Sequence, residues 1–149
     1  FEDCRLAYPL EVTGIGKNAT FTMRNCSILN NVTTCFVDHV CFHGLSKPPR
    51  KMPDRFKPML YVSHCSSAEI EQCCFPIGEC GMRLFRVNRA TVRASTFSEL
   101  CDKYIVYSAC IEFSEVDVDS CRFDSRRSVV SIMSRVRITR SNITNDDVY

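Results

Sequence analysis

Val116-Asp117-Val118-Asp119-Ser120-Cys121-Arg122-Phe123 is the stretch that decides how this chain folds. Its template reads apolar, any, apolar, any, any, Cys or Ser, any, Phe or Ile. Four further octets fit it: Phe21 to Ile28, Ala68 to Phe75, Ala90 to Phe97 and Val136 to Ile143. The last four copies begin at Ala68, Ala90, Val116 and Val136, spacings of 22, 26 and 20 residues, and the gap from Phe21 to Ala68 is about two such periods. A unit of this length that keeps returning cannot bury its apolar face alone and must stack on its neighbours.

Within each octet the first and third positions are apolar and the second and fourth mostly polar. That is strand alternation with one face buried, and β-branched residues support it. Leu60-Tyr-Val62, Leu84-Phe-Arg-Val87, Ile105-Val-Tyr107 and Val130-Ser-Ile132 are read as a second strand preceding the later copies, with a third strand near the closing Phe or Ile. The expected fold is all-β: one parallel β-helix solenoid over residues 1–149, of about five to six coils stacked at roughly 4.8 Å. Residues 29–67 hold no clean full copy. Cys35-Phe-Val37-Asp-His-Val40-Cys-Phe42 fits the template but starts too soon after Phe21 for a coil. The spacing of 26 between Ala90 and Val116 implies a small insertion, placed near Ala109 to Ser114.

Residues 44–59 read as an inserted loop. They hold Pro48, Pro49, Pro53 and Pro58, which strand interiors reject, and the cations Lys47, Arg50, Lys51, Arg55 and Lys57 against the single acid Asp54. These cations form a candidate binding loop on the rigid scaffold.

The repeat, above all Val116-Asp-Val118 followed by Ser-Cys121-Arg-Phe123, resembles the right-handed parallel β-helix superfamily with the pectin-lyase-like fold, over residues about 10 to 145. The resemblance implies right-handed coils and a column of stacked asparagines at a bend, with Asn30-Asn31 and Asn145 in the matching places. It implies a shared fold and leaves the function to individual sites. In the enzymes of that superfamily, acids and bases on a parallel sheet hold calcium and abstract a sugar proton; the matching residues here are Asp117, Asp119, Glu69, Glu71 and Arg93. A plainer reading fits better. Stacked in register, position four runs Glu71, Arg93, Asp119, Thr139 and position two runs Glu69, Thr91, Asp117, Arg137, which makes an ion-pair ladder in which each acid is neutralised. A calcium site needs oxygens converging with no cation between them.

Composition sets the compartment expected. The chain has 11 cysteines and a net charge of +2. That charge selects neither nucleic acid nor a membrane surface. No apolar run reaches the about 18 residues of a membrane-spanning helix, so no membrane insertion is expected. Four sequons, at Asn18, Asn25, Asn31 and Asn142, together with dense cysteine, point to a secreted N-glycoprotein. The chain starts at Phe1, and it is read as a mature product or a piece of a longer one. Cys80 and Cys101, following their Phe residues on neighbouring coils, are the expected intercoil disulfide. Cys73 and Cys121 lie two coils apart, roughly 9–10 Å, too far to bond. No Cys-x-x-Cys pair or paired histidine suggests zinc, and no cofactor or metal is expected.

The C-terminal octet Val136 to Ile143 has no polar cap evident after it, so the open final coil is expected either to continue into further sequence or to stack on another protein subunit. The function expected is that of a noncatalytic extracellular glycoprotein used for assembly, adhesion or surface recognition, glycans included, as a viral or filament component. The alternative is a carbohydrate-active lyase or glycosidase.

Overall fold

The alternation of apolar and polar residues produces three strand columns. The computed structural model describes residues 1–14, 18–46, 58–75, 80–98, 107–124 and 127–144. The N-terminal segment adds β1 (Arg5–Leu6) to the first turn, which holds β2 (Leu10–Thr13), β3 (Thr20–Arg24) and β4 (Ser27–Ile28). The second turn holds β5 (Val32–Cys35) and β6 (His39–His43), closed by a bridge at Ser46. The third runs through β7 (Pro58–Glu71) and β8 (Cys74–Phe75), the fourth through β9 (Cys80–Arg93) and β10 (Thr96–Ser98). The last two are β11 (Tyr107–Glu112), β12 (Glu115–Asp119) and β13 (Arg122–Asp124), then β14 (Arg127–Ile132), β15 (Arg135–Thr139) and β16 (Asn142–Thr144). Every inter-strand pairing is parallel. The protein is all-β, a parallel β-solenoid whose described strands make these six turns.

Stacking in register builds the core as columns. Met23, Phe42, Ile70, Val92, Val118 and Ile138 stand directly over one another. Phe75, Phe97 and Phe123 form another column, with ring centroids 5.8 and 5.5 Å apart. Burying a Phe or Leu of this kind contributes roughly 1.5–3 kcal/mol.

Two bends per turn share one device. At the bend after the octet's fourth residue, Asp3, Asn25, Gly44, Gln72, Ala94, Ser120 and Arg140 all have positive φ, between 46° and 64°. The N–H groups of Asn25, Gly44, Gln72, Ala94 and Ser120 each donate to a carbonyl of the next turn at 2.9–3.1 Å. The following residue points inward and ties the bend to its own chain: Ser95 Oγ donates to Arg93 O at 2.7 Å and Ser141 Oγ to Thr139 O at 2.7 Å. That is why Cys and Ser, small and able to donate, recur at position six. The other bend repeats the scheme with Phe36, His64, Arg86, Phe113 and Met133 at positive φ, and Ser114 Oγ donating to Glu112 O at 2.8 Å.

The third corner joins each octet to the next turn, and nearly all length variation falls there. The chain crosses it from Ser46 to Pro58, Phe75 to Cys80, Ser98 to Tyr107 and Asp124 to Arg127. The first turn also carries extra residues between Thr13 and Thr20.

Several sequence expectations are corrected. The second turn does contain an octet: Val40 and Phe42 sit over Phe21 and Met23, with Leu45 at the Cys/Ser position, and Leu at that position hides it. Cys35 belongs to the preceding strand, paired with Thr13 and Ser63. The extra residues before Val116 lie between Ser98 and Tyr107, because β11 pairs continuously with β9 from Ala109 to Glu112. Ala109 and Ile111 fill the second-strand slot, and Ile105 and Val106 lie outside the described residues. Val129 and Ser131, not Val130 and Ile132, continue the inward columns; four consecutive mostly apolar residues left the phase ambiguous. The insertion is narrower than 44–59: Leu45 is core, Ser46 bridges Ser27 and Cys74, and Pro58 opens β7, the strand position where its missing N–H matters least. Among the described residues no asparagine stacks on Asn31, which register places between Pro9 and Met59; Asn145 lies outside the described residues.

Candidate functional site

The outward face of the octet strands carries the densest chemistry. The register aligns Glu69 with Thr91, Asp117 and Arg137, and Glu71 with Arg93, Asp119 and Thr139, as the stacked sequence requires. Above this sheet is a shallow depression of about 240 Å³ lined by Thr91, Arg93, Asp117, Asp119, Arg137 and Arg140. A second, of about 150 Å³, lies beside Glu69, Glu71 and Arg93.

The close ion pair on this face is one the sequence reading missed. Asp119 accepts from Arg140 Nε at 2.8 Å and Thr139 Oγ1 at 2.9 Å, and Arg140 Nη2 closes the pair. Arg140 is the bend residue of the following turn, whose backbone turns it back over the sheet. These contacts, the Arg140 hydrogen bond first, hold the Asp119 carboxyl down at about 2. Arg93 has no carboxylate within 4.0 Å among the described residues, so the ladder is in register without being paired at every step. Further along the sheet His43 Nε2 lies 4.0 Å from Glu71. Arg83 donates to Glu112 at 2.8 Å; burial works against its guanidinium, and Glu112 outweighs that and raises its pKa. No three His, Cys, Asp or Glu side chains converge as a metal cluster among the described residues.

A second candidate is the final turn. Its inward positions repeat those that are closed elsewhere. Ile138 is 37% exposed where Val118 below it is 1%, and Ile143 is 42% exposed where Phe123 is 0%. Ile132, outward on β14, and Met133, at the bend after it, are exposed as well. Among the described residues β14, β15 and β16 each pair on one side only.

The sequons are placed unevenly. Asn18, Asn25 and Asn142 are exposed. Asn31 is 6% exposed and donates to Thr33, its own sequon hydroxyl, at 3.3 Å, so a sugar on it would displace the bend. Cys80 begins β9 opposite Pro58, and Cys101 lies outside the described residues, as do Lys47, Arg50, Lys51, Arg55 and Lys57. Cys4, Cys26, Cys35, Cys41, Cys65, Cys73, Cys74, Cys110 and Cys121 stand as thiols in this structure, with the Cys4 and Cys26 sulfurs 3.2 Å apart. Burial pushes Cys73 up to about 12, and burial with Glu112 pushes Cys110 up to about 11. No helix long and apolar enough to cross a membrane occurs among the described residues. No protein-family model, no curated protein and no solved structure matches this chain.

Proposed function

We propose that the protein is a noncatalytic, secreted structural element of the right-handed pectin-lyase-like type, which assembles by stacking a partner subunit's β-turn on its final turn. The observation that carries this reading is the apolar, half-paired last turn. Ile138 and Ile143 occupy columns that every earlier turn closes with another turn, and a free sheet edge over exposed apolar side chains invites strand addition. The exposed sequons Asn18, Asn25 and Asn142 support secretion and glycosylation, and adhesion or glycan recognition remain roles such an assembly can serve.

The test is sedimentation of the purified chain over a concentration series, beside Ile138→Lys and Ile143→Lys. Concentration-dependent association that both variants abolish, with unchanged far-UV circular dichroism, supports the reading. A wild-type chain that stays monomeric throughout overturns it.

A lyase or glycosidase is the second reading, and the 240 Å³ depression lined by both Arg93 and Asp117 favours it. Asp119 serves it poorly, because a carboxylate held at about 2 is a weak base. Turnover of pectin, alginate or glycosaminoglycan with added calcium, lost in Asp117→Asn, would establish this alternative.

A further inference from the structure

We propose that Cys4 and Cys26 form a disulfide that fastens the N-terminal segment to the first turn. The two sulfurs lie 3.2 Å apart. β1 pairs with β4 through Arg5–Ser27 and Leu6–Ile28, and Ser27 N–H donates to Cys4 O at 2.9 Å. Cys4 and Cys26 therefore occupy position six on adjacent turns. Adjacent strands run roughly 4.8 Å apart, inside the Cα separation of about 4.4–6.8 Å that a disulfide spans.

Register singles out this pair. From the N-terminus, position six runs Cys4, Cys26, Leu45, Cys73, Ser95, Cys121, Ser141. Leu45 separates Cys26 from Cys73, and Ser95 separates Cys73 from Cys121. Elsewhere Cys35 faces Thr13 and Ser63, Cys41 faces Thr22 and Glu69, Cys65 faces Val87, Cys74 faces Thr96, and Cys110 faces Arg83 and Val130. Among the described residues only Cys4 and Cys26 meet a second cysteine on a neighbouring turn.

Accessibility orders the chemistry. Cys26 is buried, while Cys4 is partly exposed and can meet a small disulfide such as oxidised glutathione. The Cys4 thiolate attacks that disulfide, forming a Cys4–glutathione bond and releasing one glutathione thiol. The Cys26 thiolate then attacks the Cys4 sulfur, forming the Cys4–Cys26 bond and expelling the second glutathione. The two protein thiols lose two electrons and two protons, and these reduce glutathione disulfide to two thiols. Cys26 already donates to Arg24 O at 3.1 Å, so Cys4 is the donor in the contact between the two sulfurs, and that hydrogen bond raises the Cys4 pKa and lowers its thiolate fraction.

The bond would add a covalent tie to a segment held by backbone hydrogen bonds such as Asp3 N–H to Arg24 O and Leu29 N–H to Leu6 O, and by the Phe1–Phe21 ring contact. β1 and β4 are each two residues long, and a pairing this short opens readily. Closing the chain between Cys4 and Cys26 restricts the unfolded N-terminus most.

The full chain, equilibrated with oxidised and reduced glutathione, is quenched in acid, alkylated, digested and analysed by mass spectrometry. A Cys4 peptide linked to a Cys26 peptide is expected, with exchange of the Ser27 amide roughly tenfold slower or more than in the reduced protein. Cys26→Ser should trap Cys4 as its glutathione adduct. Serine already serves at this position at Ser95 and Ser141, so that variant keeps the bend, and Cys4→Ser gives the same loss of linkage from the exposed side. Full alkylation of both thiols in folded wild-type protein, a persistent Cys4–glutathione adduct there, or linkage of Cys4 to another cysteine overturns the proposal.

Discussion

Replacing Phe97 by alanine should cost about 4–5 kcal/mol, at the high end of the range for buried aromatic truncations. Phe97 is fully buried, and its ring stacks at 5.5 Å on Phe123 and leans on Phe75 at 5.8 Å. Each ring contact adds roughly 0.5–1.5 kcal/mol beyond area burial. The backbone at Gly81 already lies so near Phe97 that a methyl there would stand 2.7 Å from the ring, so the strands around the cavity are held close by their own ladder. Ile143→Ala removes a side chain from the same column at the open turn. With 42% of Ile143 exposed, just over half the usual loss applies, about 1–3 kcal/mol for the isolated chain. Urea unfolding followed by far-UV circular dichroism measures both, provided the two variants keep the wild-type slope. Equal costs at the two positions, or a Phe97→Ala cost below about 1.5 kcal/mol, would refute a column that is closed inside and open at its end.

The acid limb of stability should report Asp119. Its carboxyl is depressed to about 2 in the folded chain, so the stabilisation is complete above the unfolded value near 3.9 and drains away as pH falls from there towards 2. Asp119→Asn should flatten the fall in melting temperature across that window; an unchanged slope would show that the Arg140 pair has no part in it. The neighbours Cys73 and Cys74 should differ in native maleimide labelling at pH 8, Cys74 reacting and Cys73, buried and held at about 12, reacting only on unfolding. Labelling of Cys73 at a comparable rate would contradict the inward–outward alternation of that strand. Ala94 is exposed with a φ of 46°, so Ala94→Gly should raise stability by about 0.5–1 kcal/mol in the same urea assay, and a loss would mean that the bend carries no left-handed strain.

The core columns were legible because their signal is a period-two alternation repeated at a near-constant spacing. Ile70, Val92, Val118 and Ile138 could be stacked from sequence without any structure. The bends were not legible. Phe36, His64, Arg86, Gln72 and Met133 all adopt positive φ, a conformation that Gly and Asn advertise and these residues do not. Here the neighbouring turn's carbonyls impose the conformation, and only stacking supplies them. The same blindness hid Arg140 as the partner of Asp119: the ladder follows from equal template positions, whereas Arg140 reaches across from a bend. The second turn escaped notice because Leu45 fills a place that Cys or Ser holds in the other octets. Cys4 with Cys26 was within reach of the sequence, since Cys4-Arg-Leu6 repeats Cys26-Ser-Ile28, but the three-residue match is too short to stand out.

Because nearly every difference in chain length is shed at the third corner, that flank is the natural place for engineering. Peptides grafted between Phe75 and Cys80 and between Asp124 and Arg127 would emerge on one side of the solenoid, two rises or roughly 9–10 Å apart. The molecule is in effect a ruler: a multivalent display whose pitch is set by backbone hydrogen bonding and is independent of what each graft contains.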